Sequence, residues 1–425
     1  MAVASDVPKE SFRLSMLIYD TRFRSLTIQV VVLILFALAV AWLLNNTVQN
    51  LAIRGKEFNY AFLWQRAGYD IQQQLIPYTN DSTHFRALLV GLLNTLAVAV
   101  VGCVLATILG IFVGVMRLSH NWLISRIMTV YVEVFRNVPV LLWILLAYVL
   151  LSETTPEPRA FRVTDEMLAA GQAPAARMWL WDTVAVTNRG MNIPAPVFDR
   201  PLGTLALGPL TLNLTFLALL AVIAGSIWVN RRLVAAARRQ QDETGDRPVT
   251  WWKSLLILFV PAIALLAALG FHLETPALKG FNFQGGILVA HSFTALTVAL
   301  TLYTAAFIAE IVRAGIMAIS RGQTEAAYAL GLRPGRTMRL VILPQALRVI
   351  VPPLISQYLN LTKNTSLGIA VSYLDLRGTL GGITLNQTGR ELECMLLMML
   401  IYLSISLIIS GVMNIYNRSV QLKAR

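Results

Sequence analysis

This sequence of 425 residues is short of charge, cysteine and histidine. Charged residues make up 13% of it, where an ordinary soluble domain carries about 25%. Hydrophobic residues reach 56%. A chain of this size with so little charge cannot cover a water-facing surface, and so much apolar content excludes disorder. Its two cysteines, Cys103 and Cys394, lie in or beside apolar runs, which leaves no disulfide framework and no metal cluster. Four histidines are few for a metal or proton-relay enzyme. The chain contains no G-x-x-x-x-G-K-[ST], so it has no P-loop of its own, and no H-E-x-x-H or G-x-S-x-G. No catalytic residue and no metal ligand is therefore assigned.

What the chain has in abundance is long apolar runs. A hydrocarbon layer of about 30 Å takes around 20 residues of helix. Eight segments fit: Leu26–Leu44, Leu88–Met116, Ile127–Leu151, Leu210–Val229, Trp252–Phe271, Ile287–Ile311, Val349–Val371 and Leu392–Ile415. Lipid offers no partner to a free backbone group, so these segments are expected to be helices. The ten-residue alternation of a barrel is absent. The fold class is an all-α polytopic membrane protein with about eight transmembrane helices. In the third segment Arg136-Asn137-Val138-Pro139 interrupts the run, and Pro139 is expected to break or kink it. Ala39-Val40-Ala41 imitates a cleavage site, yet it sits inside the first run, which reads as an uncleaved anchor.

Charge sets the expected orientation. With the N-terminus inside, the inner segments hold 20 basic and 7 acidic residues, and the outer segments 12 basic and 13 acidic. This is the positive-inside asymmetry, and it puts both termini in the cytoplasm. It also accounts for the net charge of +13 without nucleic acid, because the basic residues are spread over short inner loops. The outer loop 152–206 is rich in proline, and the inner connector 230–250, with Arg231, Arg232, Arg238, Arg239 and Arg247, reads as an orientation signal at the membrane surface.

The informative segment lies on the inner side, from Ser320 to Pro344. Ser320 with Gln323 fits a capping box. Ala326, Ala327, Ala329 and Leu330 favour helix, Gly331 suits a left-handed stop, and Arg333-Pro334-Gly335 makes a turn. The spacing predicts a helix of about three turns, too short to span, whose alanines admit a close-packed partner.

Glu325-Ala326-Ala327, then Gly331, then Val341-Ile342-Leu343-Pro344, resembles the EAA loop of ATP-binding-cassette importer permeases, with Val341 where isoleucine is usual. Asn94-Thr95-Leu96, Tyr131 to Pro139, Ala309 to Gly315 and Lys363-Asn364-Thr365-Ser366-Leu367 are similar to the polar-amino-acid branch of that family. The resemblance implies a five-helix core over 88–151 and 287–425, an N-terminal anchor and outer segment over 1–87, and an insertion with a loop and two spans over 152–286. Within the branch, the large insertion most resembles the longer permease subunit of general L-amino-acid or glutamate/glutamine/aspartate/asparagine importers of Gram-negative bacteria. It implies that Glu325, Ala326, Ala327, Gly331 and Pro344 couple the membrane helices to a cytoplasmic ATPase pair. ATP and magnesium would be held there, with no cofactor on this chain. The other implied partners are a second homologous permease, a periplasmic amino-acid-binding protein and membrane lipid. The implied location is the bacterial inner membrane.

Ionisable groups at membrane depth are functional suspects. Lys363 follows a long apolar stretch and could meet a substrate carboxylate, with Asn364, Thr365 and Ser366 as hydrogen-bonding neighbours; the alternative is that it snorkels or pairs with Glu310. Relatives often carry aspartate at the position of Asn364, and its loss here points to acidic substrates. Glu310 with Arg313, and Glu133 with Arg136, are three apart on a helix face and read as structural ion pairs. Gly110 and Gly114 form a GxxxG packing face. The expected function is a non-enzymatic subunit importing polar L-amino acids, with glutamate, aspartate and their amides among the expected substrates. Its rivals are an ion-gradient-driven transporter and a non-transporting membrane scaffold.

Overall fold

Two adjoining helices meet at the interruption read in the third apolar run. Trp122–Asn137 (α3) and Val140–Thr154 (α4) are bent by 105° at Val138-Pro139. Proline cannot donate into the first helix and pushes the residue before it to extended backbone, and Val138 has φ −100° and ψ 133°. The computed structural model describes residues 21–53, 58–163, 167, 174–207, 210–246 and 248–420. The inner charges counted at 1–20, at Arg247 and at 421–425 lie outside the described residues.

Among the described residues seven helices are long and apolar enough to cross a membrane, and the bent pair makes eight if it is one span. Residues 1–62 and 63–425 form two compact units. The first contains α1 (Thr21–Ile53), which runs unbroken through Ala39-Val40-Ala41 with its apolar side chains exposed. In the second unit, α2 (His84–Met116) begins on Thr83, whose Oγ1 accepts the Arg86 amide at 3.3 Å. It then packs along a later helix, His291–Met317. Gly110 and Gly114 make that contact possible: a Cβ on Gly110 would stand 2.6 Å from Ile308 Cβ, and one on Gly114 would stand 2.7 Å from the Ala309 carbonyl oxygen. The small-residue pair expected from sequence is thus a close-packing face. The core builds on it, with Val98, Ala106, Leu296, Leu300, Ile308 and Leu361 buried together.

Among the described residues four small antiparallel sheets, one of three strands and three of two, decorate one end of the bundle, where an irregular loop and longer helices were expected. The strands are β1 (Ala185–Thr187), β2 (Gly190–Ile193), β3 (Ala195–Phe198), β4 (Thr204–Leu207), β5 (Leu210–Asn213), β6 (Phe271–Glu274), β7 (Ala277–Lys279), β8 (Asn282–Gln284) and β9 (Ile287–Val289). β2 pairs with β1 and β9, with Met191 opposite Val289; β3 pairs with β6, with Ala195 opposite Glu274. The loop 152–206 is therefore stitched to the segment before the later core helices. These pairings correct three span limits. Leu210–Asn213, Phe271 and Ile287–Val289 are strand, and the helices run from Leu214 to Thr244 (α5), Trp251 to Ala268 (α6) and His291 to Met317 (α7). The connector is corrected too. α5 carries Arg231, Arg232, Arg238 and Arg239 on a continuous helix of 31 residues. At about 1.5 Å per residue this exceeds a bilayer's hydrocarbon thickness, so its basic end projects. Arg232 lies over the Trp228 ring at 4.3 Å.

The chain continues through α8 (Arg321–Ala329), α9 (Pro334–Thr337), a π-turn (Met338–Ile342) and α10 (Leu343–Asn364). A 3-10 segment, Thr365–Val371, follows, and α11 (Glu391–Val420) completes the described chain.

Candidate functional site

The short helix α8 stands between two long ones, joined to α7 by three residues and to α10 through α9 and the π-turn. Its start is not a capping box. Ser320 occupies the N-cap, but its side chain makes no cap bond, and the Gln323 amide donates to the Ser320 carbonyl at 3.1 Å. The Gln323 side chain is engaged elsewhere: its Oε1 accepts from Gln345 Nε2 at 3.4 Å, and the same amide donates to the Val341 carbonyl at 3.1 Å. That contact ties α8 to the first turn of α10. The stop of α8 follows the sequence reading. Gly331 has φ +74°. The Leu332 amide reaches the Ala327 carbonyl at 3.1 Å and the Gly331 amide reaches Tyr328 at 2.9 Å, which together make a Schellman end. Ala327 faces home at 4% exposure, whereas Glu325, Ala326 and Ala329 are exposed and Leu330 stands 82% exposed. Pro344 falls in the first turn of α10, where a missing amide costs nothing. The result is a firmly ended helix that presents small side chains and one bare leucine.

Close to the same end, one carboxylate gathers cations from three helices. Arg313 Nη2 donates to Glu310 Oε1 at 2.5 Å, Arg117 Nη1 donates to Glu310 Oε2, and Arg136 Nη1 lies 4.0 Å from the same oxygen. Arg117 terminates α2, Arg136 lies in the last turn of α3, and Glu310 and Arg313 belong to α7. Arg117 was not singled out in the sequence, because its partner is 193 positions away. The Glu133–Arg136 pair is a correction. Asn137 Nδ2 donates to Glu133 Oε2 at 3.3 Å, and Arg136 turns instead toward Glu310 and the Phe307 ring. Asn137 engages the Glu133 carboxylate, while α7 brings the Glu310 carboxylate and the Phe307 ring within reach of Arg136.

Lys363, Asn364, Thr365 and Ser366 are not gathered on one surface. Lys363 is exposed in the last turn of α10, where a cation suits the helix dipole, and among the described residues no ion pair joins it to Glu310. Asn364 is half-buried beside it. Thr365 is buried, its Oγ1 donating to the Thr362 carbonyl at 2.9 Å. Ser366 Oγ donates to the Lys363 carbonyl at 2.8 Å and borders a cleft of about 260 Å³ shared with Arg377, Met398 and Tyr402.

Sequence reasoning missed a buried polar hub at the opposite end of α2. Asn94 Nδ2 donates to the Gln73 and Leu374 carbonyls at 2.8 and 2.9 Å, and Thr95 Oγ1 accepts the Leu376 amide at 3.0 Å. Asp375, fully buried in the turn beyond the 3-10 segment, accepts from the Gly378 amide at 2.9 Å and from Tyr402 Oη at 3.2 Å. A polar Asn-Thr pair inside an apolar run was the available signal. Burial pushes the Asp375 carboxyl up to about 6, against the pull of the Gly378 amide and Tyr402. A carboxyl raised in the folded state binds its proton more tightly there than in the unfolded chain, so stability falls as pH rises from about 4 to about 6. Melting temperature across that interval is expected to drop, by the equivalent of roughly 2–3 kcal/mol. Asp375→Asn is expected to flatten the profile; an unchanged slope would contradict this role.

The model of the "Binding-protein-dependent transport system inner membrane component" family matches residues 248–422. The glutamate/glutamine/aspartate/asparagine transport system permease protein BztB of Rhodobacter capsulatus is 70% identical over 426 residues, covering 100% of both chains. The general L-amino acid transport system permease protein AapQ of Rhizobium johnstonii is 42% identical over 417 residues, covering 98% of this chain and 96% of that protein. A crystal structure of an amino acid ABC transporter with histidines aligns with a TM-score of 0.43 at 18% identity, over 79% of this chain and 95% of that one.

Proposed function

This chain belongs to the family of binding-protein-dependent transport system inner membrane components, as an amino-acid ABC transporter permease, and from that premise we propose how it works and with what. It forms one half of the path through the bacterial inner membrane, paired with a second, homologous permease. Its arginine-rich turns and both termini face the cytoplasm, the side that the positive-inside asymmetry favours. A periplasmic binding protein brings the amino acid to the strand-bearing end. Two cytoplasmic ATPase subunits hold ATP and magnesium. The five-helix core corresponds to 88–151 and 287–425, with 1–87 and 152–286 as additions.

One observation carries the coupling role: α8 ends in a rigid Schellman turn at Gly331 and offers Ala326, Ala329 and Leu330 to the exterior. Small side chains admit a close-fitting groove on the ATPase, and the Gln323–Gln345 contact passes a displacement of α8 to α10. Closure of the ATPase pair on ATP then favours the outward-facing arrangement of the helices by binding it better. Glu325 lies exposed in the middle of this lever, and Pro344 opens the helix it moves.

The substrate class follows the relatives' names: glutamate, glutamine, aspartate and asparagine, or L-amino acids more widely. Asn364, half-buried at the end of α10, leaves the neighbourhood of Lys363 without the carboxylate that would repel an acidic substrate. Asn364→Asp is expected to shift the ratio of glutamate to arginine uptake toward arginine, by about tenfold for one like charge near the ligand in a semi-dry site. An unchanged ratio removes Asn364 from the selectivity. The function itself is tested in proteoliposomes holding the complete complex with its binding protein. Glutamate accumulation should require internal ATP. Accumulation driven by a sodium or proton gradient without ATP would favour a secondary transporter, and none under either condition a scaffold.

A further inference from the structure

We propose that this chain carries a site for one anionic phospholipid of the inner leaflet. The headgroup phosphate rests on Arg333, Arg336 and Arg339, and an acyl chain lies in the apolar groove that begins at Leu343.

Two cavities follow each other along one stretch of chain. The first, about 660 Å³, is bordered by Arg333, Gly335, Arg336, Arg339 and Leu340. Its three arginines are spaced three apart over successive turns, so they share a face and repel one another. All three are exposed, and among the described residues no ion pair joins them to a carboxylate, whereas Arg117 and Arg313 are both paired with Glu310. Leu340 beside them is 62% exposed. A basic face with a bare leucine fits an anion at an apolar boundary rather than an anion in water.

The second cavity, about 400 Å³, is almost wholly apolar. Leu343, Leu347, Ile350 and Leu354 form one wall from α10, four and three residues apart in continuation of Arg336 and Arg339. Ile111 and Val115 of α2 face them. Chain direction places every wall in one leaflet: Val115 and Ile316 lie near the ends of α2 and α7, while Leu343 opens α10. From Leu343 to Leu354 is about 16 Å of helix, half of the hydrocarbon layer of about 30 Å. Charge at the headgroup level followed by a leaflet-deep apolar groove is the complement of an anionic lipid. Inorganic phosphate would satisfy only the arginines, and an acidic protein surface would leave the groove unused. The inference concerns retention of a lipid and is independent of the amino acid transported.

The test uses the complete complex, purified and placed in nanodiscs of phosphatidylcholine with phosphatidylglycerol as the probe, followed by native mass spectrometry of retained lipid. The wild type is expected to keep phosphatidylglycerol in preference to phosphatidylcholine, undisturbed by added inorganic phosphate. Arg336→Gln with Arg339→Gln is expected to weaken retention roughly thirtyfold, the loss for two arginines at a membrane surface. Leu347→Trp, which fills the groove and keeps every charge, is expected to lose the lipid as well. Four results would overturn the proposal. Retention unchanged in both variants removes the site. Displacement by inorganic phosphate, or full retention in Leu347→Trp, leaves an anion site without a tail. Loss of the ATPase subunits from the double variant with lipid unchanged makes the occupant an acidic protein surface.

Discussion

Gly331→Asp is expected to abolish ATP-driven uptake while the protein still inserts at the wild-type level. The geometry separates the two outcomes. Gly331 has φ +74°, and a Cβ built there meets nothing within 4 Å, so no neighbour is displaced. The cost to folding is confined to a left-handed non-glycine residue, about 1 kcal/mol. The cost to function is different in kind. The new carboxylate stands at the C-terminal end of α8, where the helix dipole already carries negative partial charge, and beside the exposed Leu330 that would enter the ATPase groove. Desolvating an unpaired charge in an interface weakens it by about 2–5 kcal/mol, so uptake should fall by well over tenfold. Gly331→Ala is the matched control. It carries the same backbone strain without charge, and most of the uptake should survive. Equal loss in both variants would mean that backbone conformation, not docking, is what the position supplies.

Glu310→Gln has the largest expected effect on stability. Glu310 is the shared partner of Arg117, Arg313 and Arg136, drawn from three helices. Arg117 is 9% exposed, so it cannot recover hydration by moving. Removing the carboxylate leaves buried guanidinium charge without compensation, which costs about 3–5 kcal/mol. The purified complex should melt many degrees lower, and its yield should fall. The double variant Glu310→Gln with Arg117→Met should regain part of the loss, because it removes the stranded charge along with its partner. A double variant less stable than the single one would show that Arg117 contributes through some other contact.

Most of the membrane architecture was legible in the sequence because lipid permits few solutions. Apolar runs long enough to span become helices, and Pro139 with Val138 dictates a break that needs no tertiary information. Gly331 was legible for the same local reason. What failed was everything decided by partners distant in sequence. Phe271-His272-Leu273-Glu274 alternates with period two, yet it is only four residues long and its first residue also extends the apolar run before it; only pairing with Ala195–Phe198 makes it strand. Ser320 and Gln323 satisfy the capping-box pattern, but Gln345 competes for the glutamine. Spacing made Glu133 and Arg136 a pair, while the fold brings Arg136 to Glu310. Asp375 was not singled out, because nothing local reveals that Tyr402 and the Thr95 region close over it.

In the coupling scheme proposed above, α8 inserts into an ATPase and moves with it. The most direct measurement is site-specific crosslinking in native membranes, with Cys103 and Cys394 replaced, from Ala326→Cys to cysteines scanned along the surface of the co-purified ATPase. The account predicts one dominant adduct in the intact complex, changed in yield by ATP, with uptake arrested when the link forms and restored on reduction. An intact, transporting complex in which no ATPase cysteine reaches position 326 would contradict it.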